Sequence, residues 1–206
     1  ASLMSLAPAP CRPFAPTRAG LNLGEGAAFL ILESDTSRKR RGAASLAVLA
    51  GFGNACDAFH QTASSENGEG AFLAMRKALK MAGLKPEDIG YVNAHGTGTP
   101  NNDASESAAL RRVFGEQMPP VSSTKAFTGH TTSASGSIEA VFCLLALQEG
   151  FIPANLNWTT ADPACITPYL GGETLCPAPT GHLPLNHILC NAFGFGGNDS
   201  SLLFSR

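Results

Sequence analysis

Apolar residues recur along this chain in two rhythms, one helical and one strand-like. Between Asn67 and Ala82, Phe72, Met75, Leu79 and Ala82 stand three, four and three apart, the stripe of an amphipathic helix, and Gly83 is placed to end it. Ser135 to Gln148 is apolar on nearly every face (Ile138, Val141, Phe142, Leu144, Leu145, Leu147), which predicts a buried helix closed near Gly150. Asn102 or Asp103 is expected to cap a third helix running to about Phe114. Short apolar runs bounded by turn residues predict strands at Ala44 to Phe52, Tyr91 to Ala94, Pro120 to Thr124, His187 to Phe193 and Ser200 to Phe204. The order from there is β-α-β-α-β-α-β-β. Gly24 to Glu33 reads as a glycine turn running into one more buried strand. Ser34 to Gly42 reads as a polar link, Phe151 to Leu183 as a long Pro/Gly/Thr-rich connection, and Ala1 to Pro10 as the tail of an upstream element.

Composition narrows the class. The chain has 206 residues, of which 44% are hydrophobic and only 15% charged, enough for one sizeable core or one domain plus part of a second. A net charge of -2 gives no field for nucleic acid. The longest apolar run, Ala140 to Leu147, is far short of the roughly 20 residues a bilayer demands, so no membrane role is expected. The first ten residues hold no basic-then-apolar leader, and the chain starts Ala-Ser-Leu rather than with Met, as a fragment or processed chain does. The six cysteines form no C-x-x-C pair and no His cluster completes a zinc pattern, so reduced thiols in a cytoplasmic protein, with no metal, are expected.

Three stretches carry chemistry at the end of a predicted strand, where α/β proteins collect their ligands. They are Tyr91-Val92-Asn93-Ala94-His95-Gly96-Thr97-Gly98-Thr99-Pro100, Ser122-Ser123-Thr124-Lys125-Ala126-Phe127-Thr128-Gly129-His130, and Cys190-Asn191-Ala192-Phe193-Gly194-Phe195-Gly196-Gly197. A neutral imidazole offers one N–H while its other nitrogen is held by the protein, so His95 and His130 are candidate donors to an anionic oxygen. Lys125 lies five residues before His130, and a nearby ammonium favours the uncharged form of a histidine. Thr97 and Thr99 place two hydroxyls on one side of a loop, fit to hydrogen-bond an amide-bearing arm. Gly194, Gly196 and Gly197 surround Phe195 and permit close backbone approach. That turn joins two strands rather than a strand and a helix, which excludes a dinucleotide loop. His60, His182 and His187 lack such context and read as structural. Glu139, inside the apolar helix, is expected to be paired.

The three motifs, in this order, resemble those of the β-ketoacyl-acyl-carrier-protein synthases, the condensing enzymes of fatty-acid and polyketide synthesis. That family carries N-A-H-G-T-x-T-P, then S-T-K-x-x-x-G-H, then N-x-F-G-F-G-G. Cys11-Arg12-Pro13-Phe14 to Gly20 is similar to a further family segment, with Ala15 near where an acidic residue is usual. The resemblance implies an α/β thiolase-like fold, two similar halves in a five-layer α/β/α/β/α sandwich. This chain would hold the end of the N-terminal half (residues 1–43) and the complete C-terminal half (residues 44–206). It implies that His95 and His130 bind a malonyl thioester carbonyl and assist decarboxylation, with Lys125 essential beside them. Thr97 and Thr99 would bind the phosphopantetheine of an acyl carrier protein. The Phe195 N–H, with Gly196, would serve the oxyanion hole, and the Phe195 ring would gate the acyl pocket. No cofactor of the chain's own is implied. The implied partners are the acyl carrier protein, the N-terminal half, and a second condensing subunit in a homodimer or heterodimer.

The family's nucleophilic cysteine lies upstream, in a segment this chain does not contain, so the chain alone is expected to be inactive. Cys11 matches a non-catalytic position. Asn198-Asp199 departs from the usual Thr-Asn. The run Arg38-Lys39-Arg40-Arg41 is either a solvated loop or, with Arg18, a docking patch for an acidic carrier. Two rivals to the synthase remain: a non-catalytic partner subunit resembling a chain length factor, and a thiolase-type acyltransferase for which Cys190 would be the second cysteine.

Overall fold

The computed structural model describes residues 6–171 and 185–206. Residues 1–5, the last part of the long connection, His182 and Cys176 lie outside the described residues. Helix α1 spans Asp35–Arg41, strand β1 Val48–Cys56, helix α2 Glu69–Ala82, strand β2 Tyr91–Asn93 and helix α3 Pro100–Phe114. Strand β3 (Val121–Ser122), helix α4 (Lys125–Thr128), helix α5 (Ser135–Glu149), β4 (His187–Gly194) and β5 (Asn198–Ser205) complete the chain. From β1 onward the long elements follow the predicted order.

The five strands form one sheet in the order β1-β5-β4-β2-β3. β2 pairs in parallel with β3 and β4, whereas β5 runs antiparallel between β4 and β1. The side-chain period of two splits each central strand between two cores. Val92, Leu189 and Leu203 join the apolar residues of α2 and α3, while Tyr91, Ile188 and Phe204 join those of α5. The result is three layers, with α2 and α3 on one face of the sheet and α5 on the other.

α2 lies close against β1 because β1 presents glycines at positions 51 and 53 to it. A Cβ on Gly51 would sit 2.3 Å from the Ala78 carbonyl oxygen, and one on Gly53 only 2.0 Å from that of Ala74. Gly83 closes α2 in the left-handed conformation, as predicted. α5 ends at a left-handed Gly150, also as predicted, but it is less buried than its composition implied. Ala140, Cys143, Ala146 and Leu147 pack on the sheet, whereas Leu145 is exposed and Ile138, Val141 and Phe142 are half-buried.

Four expectations are corrected. The stretch Gly24 to Glu33 is not a buried strand: Phe29 and Ile31 are 92% and 96% exposed. An extended segment becomes a strand only when a neighbour completes its ladder. Apart from a bridge between Leu23 and His130, this one has no such neighbour among the described residues. The link Ser34 to Gly42 contains a helix. Ser34 caps it by accepting from the Ser37 N–H, Asp35 ion-pairs with Arg38 and Lys39, and Gly42 ends it. Strand β1 sits a few residues later than Ala44 to Phe52. Helix α3 starts at Pro100, with Thr99 at the N-cap position but making no side-chain cap bond, rather than being capped at Asn102 or Asp103, because proline's fixed φ suits the helix start.

Candidate active site

His95 follows β2 on a turn moulded around two carboxylates of α3. Glu106 accepts the backbone N–H groups of His95 (2.9 Å) and Gly96 (2.8 Å), and Asp103 accepts those of Gly98 (3.1 Å) and Phe14 (2.8 Å). Gly96 and Gly98 both take positive φ there. Burial pushes Glu106 up to about 7, against the pull of the Gly96 and His95 N–H groups. Sequence reasoning read Asp103 only as a possible helix cap and passed over Glu106. The signal was present: they stand three apart on α3, a few residues after His95, and a carboxyl on the buried face of a helix demands donors.

His130 follows α4 and a Gly129 of φ +69°. Its backbone is clamped from the opposite side. The His130 N–H donates to Asn22 O (2.7 Å), and the Gly24 N–H donates to His130 O (3.1 Å). Gly24 has to be glycine, since a Cβ there would meet Thr128 O at 2.0 Å. The ring nitrogen Nδ1 accepts the Thr132 N–H at 3.1 Å. Thr132 holds φ +51°, an uncommon conformation for a β-branched residue.

Lys125 is buried behind His95. Its three ammonium protons meet three acceptors: the Glu139 carboxylate, the His95 carbonyl and, at 3.3 Å, His95 Nδ1. Glu139 is therefore paired, as expected, and its carboxyl is raised by burial and lowered by Lys125. Burial, then the Lys125 charge, then His130 hold His95 well below its ordinary pKa. Burial and Lys125 push His130 down to about 4. Both imidazoles are neutral at pH 7. In each, Nδ1 faces a donor and must accept, so the proton sits on Nε2.

The two rings lie 5.3 Å apart, nearly perpendicular at 84°. Both line a cavity of about 830 Å³, together with Thr97, Thr99, Phe193 and Phe195. The Thr97 and Thr99 hydroxyls face one another at 2.8 Å. Phe195 is 61% exposed at the cavity wall, while Phe193, which sequence reasoning did not single out, stands 5.9 Å from the His95 ring. The Gly196 N–H is already engaged with Gln61 O at 2.8 Å. Lys125 does not line the cavity; its contact with the site is through His95.

Other candidates fall away from the site. Arg18 is no part of a surface patch: it ion-pairs with Asp162 and its side chain is 7% exposed. Of the basic run, Arg38 and Lys39 pair with Asp35 on α1, and Arg41 pairs with Glu33 just before it, so three of the four cations have local carboxylate partners. Cys11 is buried, donates to Thr97 O, and is pushed up to about 11 by burial, so it is a poor nucleophile. Asp199 is buried beside the N-terminus of α2; burial, Asp57 and Glu106 push it up to about 7. His60 accepts from the Thr62 N–H, and His187 pairs with Ser205, both structural.

The chain matches a model of the β-ketoacyl synthase C-terminal domain over residues 46–159. It is 39% identical over 198 residues to a 3-oxoacyl-[acyl-carrier-protein] synthase 2 of Staphylococcus aureus (95% of this chain, 46% of the relative). It is 41% identical over 197 residues to that of Synechocystis (95% and 46%). It thus spans about half the length of the curated relatives it matches. Among solved structures it resembles the ishigamide ketosynthase/chain length factor, with a TM-score of 0.88 at 36% identity (98% of this chain, 48% of that one). It also resembles a type II PKS acyl-carrier protein in complex with its ketosynthase, with a TM-score of 0.85 at 33% identity (95% and 47%). A third likeness is a Xenorhabdus doucetiae ketosynthase in complex with its chain length factor, with a TM-score of 0.77 at 35% identity (98% and 48%). The fold is accordingly thiolase-like, and the chain belongs to the β-ketoacyl synthase family.

Proposed function

We propose that this chain supplies the decarboxylating side of a β-ketoacyl-acyl-carrier-protein synthase. The observation that carries the reading is the pair of neutral imidazoles, each with Nδ1 occupied by a donor, sharing one cavity. The thioester carbonyl of a malonyl-carrier accepts from the two Nε2–H groups. The bond to the terminal carboxylate breaks, carbon dioxide leaves, and its electron pair becomes an enolate whose oxygen the same donors stabilise. The enolate carbon then attacks an acyl thioester on a cysteine. A carbon–carbon bond forms, the carbon–sulfur bond breaks, and thiolate leaves. Phe195 contributes its N–H to that second oxyanion and its ring gates the acyl end. Thr97 and Thr99 hold the phosphopantetheine arm.

Among the described residues no cysteine lines the cavity, so the nucleophile comes from another segment or chain. The partners in this reading are the acyl carrier protein, the other half of the fold, and a second condensing subunit. The cytoplasmic setting and the absence of a metal or redox cofactor belong to the same reading. The specific observation against a silent chain-length-factor-like subunit is the retention of both histidines and Lys125 in donor geometry. Against a thiolase-type enzyme, Cys190 is buried in the α5-side core.

The test is release of carbon dioxide from malonyl-carrier by the complete enzyme that contains this chain. His95→Gln and His130→Asn should each lower it by about 10²–10³-fold. Parent-like rates in both variants would defeat the reading.

A further inference from the structure

We propose that Ser135, the first residue of α5, is a positioning residue for His130, a role that rests on the reading of His130 given above. Its hydroxyl lies 2.9 Å from His130 Nδ1, the same atom that takes the Thr132 N–H at 3.1 Å. A backbone N–H only donates, so Nδ1 is the acceptor and Ser135 Oγ donates to it. The Thr131 hydroxyl lies 3.3 Å from the Ser135 oxygen and supplies the proton that oxygen can accept. The chain runs Thr131 O–H to Ser135 O–H to His130 Nδ1, and it leaves the Nε2–H of His130 facing the cavity.

Two donors on one in-plane lone pair do what a single donor does not. An imidazole held at Nδ1 by one bond can still pivot about it; a second donor from a different direction fixes the ring. The first donor comes from a strained residue, Thr132 at φ +51°. The second comes from a helix, and Ser135 is itself buried at 5% exposure. Ser135 thus references the His130 ring to α5, the helix that also carries Glu139, the partner of Lys125. One helix therefore sets both imidazoles, His130 directly and His95 through Lys125.

The experiment uses the complete enzyme with Ser135→Ala, Ser135→Thr, and each combined with His130→Asn. Losing one neutral hydrogen bond to the ring should lower malonyl-carrier decarboxylation kcat roughly three- to tenfold, with KM unchanged. Ser135→Thr, which keeps the hydroxyl, should recover most of that rate. In the His130→Asn background, Ser135→Ala should add no further loss. Imidazole nitrogen NMR gives an independent readout: the Nδ1 signal of His130 should move toward the free-imidazole value in Ser135→Ala and stay in place in Ser135→Thr. An unmoved Nδ1 signal, or an equal loss from Ser135→Ala with and without His130, would overturn the proposal. If His130→Asn alone leaves the rate intact, the functional reading fails instead, and the NMR signal still decides whether Ser135 holds the ring.

Discussion

The Lys125 ammonium touches His95 twice, at its carbonyl and at Nδ1, while ion-pairing with Glu139 out of reach of solvent. One cation thereby fixes the tautomer of a histidine and neutralises a carboxylate of α5.

Replacing Lys125 with Met strands the Glu139 charge in the core. Breaking a buried pair from one side costs about 3–5 kcal/mol, so the unfolding midpoint in urea should drop sharply. Removing both partners, in Lys125→Met with Glu139→Leu, should restore most of the stability but not the decarboxylation rate. Full recovery of the rate in the double variant would show that Lys125 matters only as the partner of Glu139.

The two histidines set an acid limit. His130 ordinarily titrates near 6.5 but is pushed down to about 4, and His95 lies well below its ordinary value. The unfolded chain protonates both imidazoles near 6.5, whereas the folded chain protonates His130 only near 4 and holds His95 neutral well below 6.5. Stability should therefore fall as pH drops through that window. If the complete enzyme decarboxylates malonyl-carrier as proposed, its rate should hold from neutral pH downward and fall near 4, where His130 loses its neutral form. A rate that rises on acidification would point to imidazolium as the working species.

Asp199 gives the opposite slope. Its carboxyl is raised from 3.8 to about 7, so the folded chain holds a proton that the unfolded chain has lost. Stability from this group is present below about 4 and is lost as pH rises to 7. Asp199→Asn should raise the urea midpoint at pH 8 and leave it unchanged at pH 4. A lower midpoint at pH 8 would mean that the charged carboxylate is held favourably by the N-terminus of α2.

Gly53→Ala probes the contact between β1 and α2. The added methyl would stand 2.0 Å from the Ala74 carbonyl, backbone that cannot swing aside. The expected loss is about 1–3 kcal/mol or more, read from denaturation, because overpacking has to move a whole helix. A neutral effect would mean that α2 rides freely over the strand.

Much of this was legible in the chain. His95, Lys125 and His130 stood out because they lie in motifs of restricted composition that follow predicted strands. α2 and α5 were readable from spacing and from their closing glycines. The misses share a cause. α1 has no apolar stripe; it stands on a serine cap and on ion pairs of Asp35, which a hydrophobic pattern does not register. Gly24 to Glu33 has the composition of a strand, but a strand is a property of two segments and composition describes one. Asp103 and Glu106 looked like ordinary helix polarity until the fold turned them toward the backbone of the His95 loop. Ser135 was hidden inside a run read only for its apolar character.

The tautomers described for His95 and His130 also define what this cavity rejects. Both rings offer hydrogen and no lone pair, so a guest has to bring lone pairs to that end of the pocket. A ketone, a thioester or a carboxylate meets the requirement; an amine or an alcohol presented hydrogen-first faces two like dipoles. An inhibitor for this half of the site is therefore best built around a carbonyl oxygen aimed between the two rings.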